Sequence, residues 1–325
     1  MLRKFILSLL LIVIVGAAGL VGFMYLAPEA FIHVALDAGR RYAGLERKEI
    51  TLADGLRYVY LEGGQGEPLL LLHGFGANKD NFVSIAPYLR QRYHLIIPDH
   101  IGFGESSKPP QADYSPDAQA ERLHAFVQAL GLRGPLHVGG NSMGGMIALH
   151  YGKRYPADTA SLWLLDPAGM FSAPQTELFK HALQTSHNPL QIRSTDDLAF
   201  LLSKVAAKPP FIPRPILDVY ARAQIANRTV QDRALAALIN SDTEKRIAGL
   251  SLPALIVWGD QDQLVHPAGA EILHKLLPNS AVVIMPGIGH VPMVEAPAQT
   301  AADYLRFQDS LRAKTAGTGK PKEGQ

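Results

Sequence analysis

The stretch "LHVGGNSMGGMIALHYGKRYP", Leu136–Pro156, decides the fold. It opens as a short apolar run, passes two glycines, one serine and two more glycines, and continues in a helix-like pattern. A strand that turns sharply into a helix needs small neighbours, because the residue at the turn holds a strained backbone and flanking side chains would collide. "GNSMG", Gly140 to Gly144, therefore predicts that Ser142 stands clear of the C-terminal edge of a sheet. A serine that merely caps the helix is the competing reading, and the rest of the chain has to decide.

Working outward, "GLRYVYLEG" (55–63) alternates like a strand, and short apolar runs recur at 68–74, 94–99, 136–140, 161–166, 254–260 and 281–287. Most are continuous rather than alternating, which is the signature of strands buried on both faces of a parallel sheet. Helix signals lie between them. Ser115 and Pro116 open one towards Leu130, a second runs from Pro267 to Pro278, and a third runs from Pro297 to near Arg312. Strands alternating with helices predict an open α/β sheet covered on both faces. Residues of about 170–248 break the rhythm with helical propensity and "KPPFIPRP", predicting a cap inserted between the strand-like runs 161–166 and 254–260. The tail 313–325 reads as disordered.

The N-terminus carries a different message. Between Lys4 and Pro28 lie 23 uncharged residues, Phe5 to Ala27. At about 1.5 Å per residue such a helix spans roughly 34 Å, enough for a hydrocarbon core of about 30 Å. A cleaved signal peptide is the alternative, but its apolar core is shorter, about 7–15 residues, and it needs a small-residue cleavage site, which is not evident before Pro28. Residues 1–27 are thus expected to be a signal anchor, with Arg3 and Lys4 keeping the N-terminus cytoplasmic and the body extracytoplasmic. Arg40 and Arg41 soften that orientation. Residues 28–48 read as an amphipathic connector suited to the membrane surface, and 49–312 as the folded domain.

Composition excludes several classes. With 47% apolar residues the chain can fill a large core, and 31 basic against 29 acidic residues leave no basic stripe for nucleic acid. The absence of cysteine removes disulfides, thiolate metal sites and a cysteine nucleophile. "DHIGFGESSK" (99–108) contains G-x-G, but the prolines at 109 and 110 break the helix that a dinucleotide loop needs. Neither a metal nor an organic cofactor is expected, and nothing points to an obligate protein partner.

A serine hydroxyl is a poor nucleophile until a base lies within hydrogen-bond reach and a third group orients that base. Of twelve histidines, His290 stands in a Gly-rich loop directly after the last strand-like run, where α/β sheets place functional groups. His73, after an earlier strand, is expected to hold its own loop by hydrogen bonding. After the preceding strand, "VWGDQDQLVHP" offers Asp260 and Asp262; Asp262, further out, is the expected acid, with Asp260 and Asp166 as alternatives. The order Ser142, Asp262, His290 suits this fold class. The backbone N–H of Met143, and that of Phe75 in "HGFGAN", are the expected oxyanion donors. Phe171, Phe179, Phe200 and Phe211 in the cap are candidates to line a substrate pocket.

Taken together, "LHGFGANKDNF", "PDHIGFGESSK", "GNSMGGMIALHYGKRYP", "LLDPAGM", "IVWGDQDQLV" and "GIGHVPMVEAP" resemble the α/β-hydrolase superfamily in order and spacing over residues 49–312. The resemblance implies a mostly parallel eight-stranded sheet with a helical cap, and the roles just assigned to Ser142, Asp262, His290, Phe75 and Met143. Within the superfamily the chain is most similar to membrane-anchored monoacylglycerol lipases and related bacterial esterases, which implies a small ester or lipid substrate. Haloalkane dehalogenases and epoxide hydrolases carry aspartate where Ser142 stands. Carbon–carbon bond hydrolases of ring-cleavage products generally carry tryptophan where this chain has Val291, and they remain the alternative enzyme. A non-catalytic ligand receptor on the same fold is the alternative of another class.

Overall fold

A computed structural model describes residues 2–185 and 187–318. Eight strands form one sheet: β1 (Leu45–Thr51), β2 (Arg57–Gly64), β3 (Glu67–Leu72), β4 (Tyr93–Pro98), β5 (Leu136–Asn141), β6 (Thr159–Leu165), β7 (Ala254–Gly259) and β8 (Ser280–Met285). Their spatial order is β1-β2-β4-β3-β5-β6-β7-β8. β2 runs antiparallel to both β1 and β4, and every pairing from β4 to β8 is parallel.

The continuous apolar runs explain the parallel part. In β3, Leu69 and Leu71 face one core while Leu70 and Leu72 face the other, and all four are fully buried. Each such side chain contributes roughly 1.5–3 kcal/mol on burial, so a polar residue on either face would be costly. The helix Met143–Arg154 that follows β5 is buried on every side as far as Gly152, which is why its sequence shows no polar stripe. The helix Pro116–Ala129 is capped by Ser115, whose hydroxyl accepts the Ala118 N–H. The cap lies between β6 and β7 and holds the helices Glu177–Thr185, Thr195–Val205, Arg214–Ala226 and Arg228–Ile239. Ile192, Leu198, Leu217 and Ala221 give it a small core of its own.

Two boundaries differ from expectation, at the start of the sheet and at the start of the tail. The first strand, "LERKEIT", lay partly in the expected connector; its charged alternation marks it as an edge strand with one residue of seven buried. The connector itself is a helix, Pro28–Ala43, docked on the domain. Arg40 grips Asp80 through Nε to Oδ1 at 2.7 Å and Nη2 to Oδ2 at 2.8 Å, with both side chains largely buried. At the other end the helix Pro297–Thr318 runs into the stretch expected to be disordered, and residues 319–325 lie outside the described residues. Ahead of the connector, the helix Leu2–Leu26 is long and apolar enough to cross a membrane.

Candidate active site

Ser142 sits between β5 and its helix with φ 53° and ψ −117°. Only Ser142 and Asp166 among the described non-glycine residues have positive φ. Such a conformation costs on the order of 1–3 kcal/mol and persists only where the surroundings fix it. Here they do: the Ser142 N–H donates to Leu165 O, and the Ser142 carbonyl accepts from Met146 and Ala168, all at 3.0 Å. The glycines serve close approach. A Cβ on Gly144 would lie 2.0 Å from the Leu72 carbonyl oxygen, and one on Gly74 would lie 3.3 Å from the Ser142 Cβ. The loop carrying Phe75 therefore passes directly against the turn. Met143 is the first residue of the new helix, so its N–H has no carbonyl partner within that helix.

His290 follows β8 and is buried beside Asp262, which follows β7. His290 Nδ1 lies 2.7 Å from Asp262 Oδ2. Because the carboxylate accepts, the ring proton is assigned to Nδ1, which leaves Nε2 with a lone pair able to take a proton. Asp262 is itself held: its Oδ1 accepts the N–H groups of Leu264 and Val265 at 2.7 and 3.1 Å. Asp260 has a different task, since its Oδ1 accepts the Gly287 N–H and clips the two loops together. Asp166, fully buried at the end of β6, accepts the Gly259 N–H through Oδ1 at 2.8 Å. Oxygens of Asp166 and Asp262 and a ring nitrogen of His290 all lie within 4.8 Å of one another. A cation there would have to break the Nδ1–H to Oδ2 bond, so the group fits hydrogen bonding better than metal ligation.

Ser142, His290, Phe75 and Met143 line one cavity of about 1180 Å³ beneath the cap. It exceeds the roughly 300–1,000 Å³ of ordinary small-molecule sites. Phe171 and Phe179 line it, as do Leu201 and Leu202. Phe200 and Phe211 do not: Phe200 stacks under Lys204, and Phe211 is 89% exposed. His73 holds its loop as expected, with Nδ1 bonded to Gly74 O and Nε2 accepting from the His100 N–H. Burial pushes its pKa down, so the neutral form matches both bonds.

The sheet order, the turn at Ser142 and the cap are those of one fold, and a profile of the alpha/beta hydrolase fold matches residues 67–297. The chain belongs to the α/β-hydrolase family. Lipase 1 of Psychrobacter immobilis is 46% identical over 280 residues, covering 85% of this chain and 88% of that protein. Monoacylglycerol lipase abhd6-A of Xenopus laevis is 30% identical over 305 residues, covering 88% and 89% of the two chains. A solved structure described as a membrane phospholipase A and bacterial virulence factor superposes with a TM-score of 0.83 at 38% identity, covering 95% of this chain and 99% of that one. With kinship of this extent to lipases, this α/β-hydrolase is an ester hydrolase.

Two residues that hold the hydrolase's histidine loop were not singled out by sequence. Asn141 donates through Nδ2 to the carbonyls of Leu165 and His290. Glu295 accepts the Gly289 N–H through Oε1 and, through Oε2, the N–H of Ala207 in the cap. The His290 N–H donates to Val205 O, a second tie to the cap. Asn141 does carry a signal: an amide at the end of a strand buried throughout has to find partners.

Proposed function

We propose that this ester hydrolase cleaves monoacylglycerols or closely related lipid esters through an acyl-enzyme on Ser142. The observation that carries this reading is the 2.7 Å bond from His290 Nδ1 to Asp262 Oδ2, at a pair whose histidine shares the apolar cavity with Ser142. Ser142 Oγ attacks the ester carbonyl while His290 Nε2 takes its proton, and Asp262 stabilises the imidazolium that forms. The N–H groups of Phe75 and Met143 receive the oxyanion; losing one such donor costs on the order of 10²–10³ in rate. His290 then protonates the departing alcohol, and a water, deprotonated by the same nitrogen, releases the acid.

The lipid preference rests on the large apolar cavity and on relatives named lipase, monoacylglycerol lipase and membrane phospholipase A. The helix Leu2–Leu26 anchors the enzyme beside bilayer substrates, with Arg3 and Lys4 placing the catalytic domain on the extracytoplasmic side. The test pairs fluorophosphonate labelling of wild type and Ser142→Ala with a hydrolysis screen over monoacylglycerols, triacylglycerols, graded p-nitrophenyl esters and a ring-cleavage dienoate. Labelling lost in Ser142→Ala and the highest kcat/KM on monoacylglycerols are expected. Activity confined to acetyl and butyryl esters, or to the dienoate, would refute the lipid reading.

A further inference from the structure

Asp166 is a buried acid for which the reaction above has no use. It directly follows β6, next to β7, at φ 43°, the only described non-glycine residue besides Ser142 with positive φ. Oδ1 accepts the Gly259 N–H, and Gly259 O in turn accepts the Asp262 N–H, so Asp166 steadies the backbone from which the Asp262 loop springs. Oδ2 is buried without a hydrogen-bond partner. Beside it stands Asp262, with oxygens of the two carboxyls inside the same 4.8 Å cluster as His290.

Two carboxyls this close, both shut away from water, cannot both be ionised. Asp262 accepts three hydrogen bonds, from Leu264, Val265 and His290, whereas Asp166 accepts one. The negative charge therefore belongs on Asp262. Burial first, and the Asp262 charge second, push the Asp166 carboxyl well above the usual carboxylate range, and Glu295 adds to the same effect. A neutral carboxylic acid is also the one form of Asp166 that turns the orphaned oxygen into a donor.

We propose that Asp166 is a positioning residue, whose Oδ2–H is directed at the Asp262 carboxylate and holds it on His290. The inference rests on the Ser142, Asp262 and His290 roles proposed above. The proton stays on Asp166 throughout the reaction, and no bond to substrate is formed or broken there.

The test uses Asp166→Asn and Asp166→Gly in the full-length protein in detergent. Both residues tolerate positive φ, so neither adds backbone strain, but only asparagine retains a donor for Asp262 and an acceptor for Gly259. On a p-nitrophenyl ester, D166G is expected to lower kcat on the order of 10–100-fold with KM within about twofold, as misplacement of a catalytic group does. D166N is expected to recover most of that loss. The downfield proton resonance of His290 Nδ1–H should survive in D166N and shift or broaden in D166G. A D166G variant within about threefold of wild type, or a D166N variant as slow as D166G, overturns the inference.

If D166G does not fold, infrared difference spectra of wild type against D166N at pH 8 decide. A protonated carboxyl C=O band lost in D166N is expected, and no lost band overturns the proposal. Fluorophosphonate labelling runs alongside. Persistent labelling of Ser142→Ala overturns the triad itself, whereas loss of labelling there with an unaffected D166G overturns only the role of Asp166.

Discussion

The side-chain amide of Asn141 donates to the backbone carbonyl of His290 at 2.9 Å, joining the residue before the strained serine to the histidine loop 149 positions later. The same amide nitrogen donates to Leu165 O at 3.1 Å, so one buried group ties together the ends of β5, β6 and the loop after β8. Replacing Asn141 by alanine takes the donor from the buried His290 carbonyl, while Leu165 O keeps the Ser142 N–H. A stability loss of about 1–3 kcal/mol is expected from urea titration. A fall in kcat on the order of tenfold or more, with little change in KM, should accompany it as His290 drifts. Unchanged kcat in a folded N141A protein would show that the histidine loop is held elsewhere.

Asp262→Asn presents a donor as well as an acceptor to His290 Nδ1, allowing the wrong ring tautomer. By analogy with other triads, kcat should fall by about 10⁴ while the fold is kept. Circular dichroism and single-turnover acylation on a p-nitrophenyl ester measure the two separately. Loss of less than tenfold would point to Asp166 as a substitute acid.

Gly144→Ala should abolish folding rather than tune activity. Its Cβ would lie 2.0 Å from the Leu72 carbonyl oxygen, and both the strand and the helix that would have to move are buried. A cost above about 3 kcal/mol follows from overpacking of this kind. Yield of folded protein and resistance to limited proteolysis report it.

Glu105 supplies a pH dependence. Burial alone would raise its pKa, but hydrogen bonds from Arg47 and Lys79 outweigh that and lower it to about 2. A carboxylate depressed in the folded state contributes stability above its unfolded pKa, near 4.5, and loses that contribution as pH falls towards 2. The urea midpoint of wild type should therefore decline between pH 5 and pH 2.5 more steeply than that of Glu105→Gln. Parallel curves would contradict the assignment.

Arg40 and Asp80 hold the helix Pro28–Ala43 on the domain. Arg40→Met leaves Asp80 largely buried with Lys79 Nζ at 4.0 Å in place of its two close hydrogen bonds, at a cost of up to about 3 kcal/mol, whereas removing both charges costs less. Chymotryptic cleavage at the connector should accelerate in R40M and slow again in R40M with Asp80→Leu. Equal rates in the two variants would refute the clamp.

Much of this molecule is legible in its chain. The apolar runs at 68–74, 136–140, 161–166 and 254–260 appear as adjacent parallel strands, because a strand buried on both faces leaves no room for polar alternation. Cap placement followed from the broken rhythm after residue 170. β1 escaped because an edge strand facing water reads as charged connector.

What the chain determined by itself is local: the glycine-flanked turn at Ser142, the strand ends that carry Asp166, Asp262 and His290, and the helix long enough to cross a bilayer. What tertiary structure decided is which of these polar groups meet. Asp260 and Asp262 are two residues apart, yet only Asp262 reaches His290, while Asp260 turns to Gly287. Asp166 joins Asp262 from 96 positions away, and Phe200 and Phe211 are not part of the cavity lining to which Phe171 and Phe179 belong. The reason is physical. Backbone propensity and burial are read within one element, but hydrogen bonding inside a buried site depends on loop paths set by the packing of β6, β7 and β8 side by side.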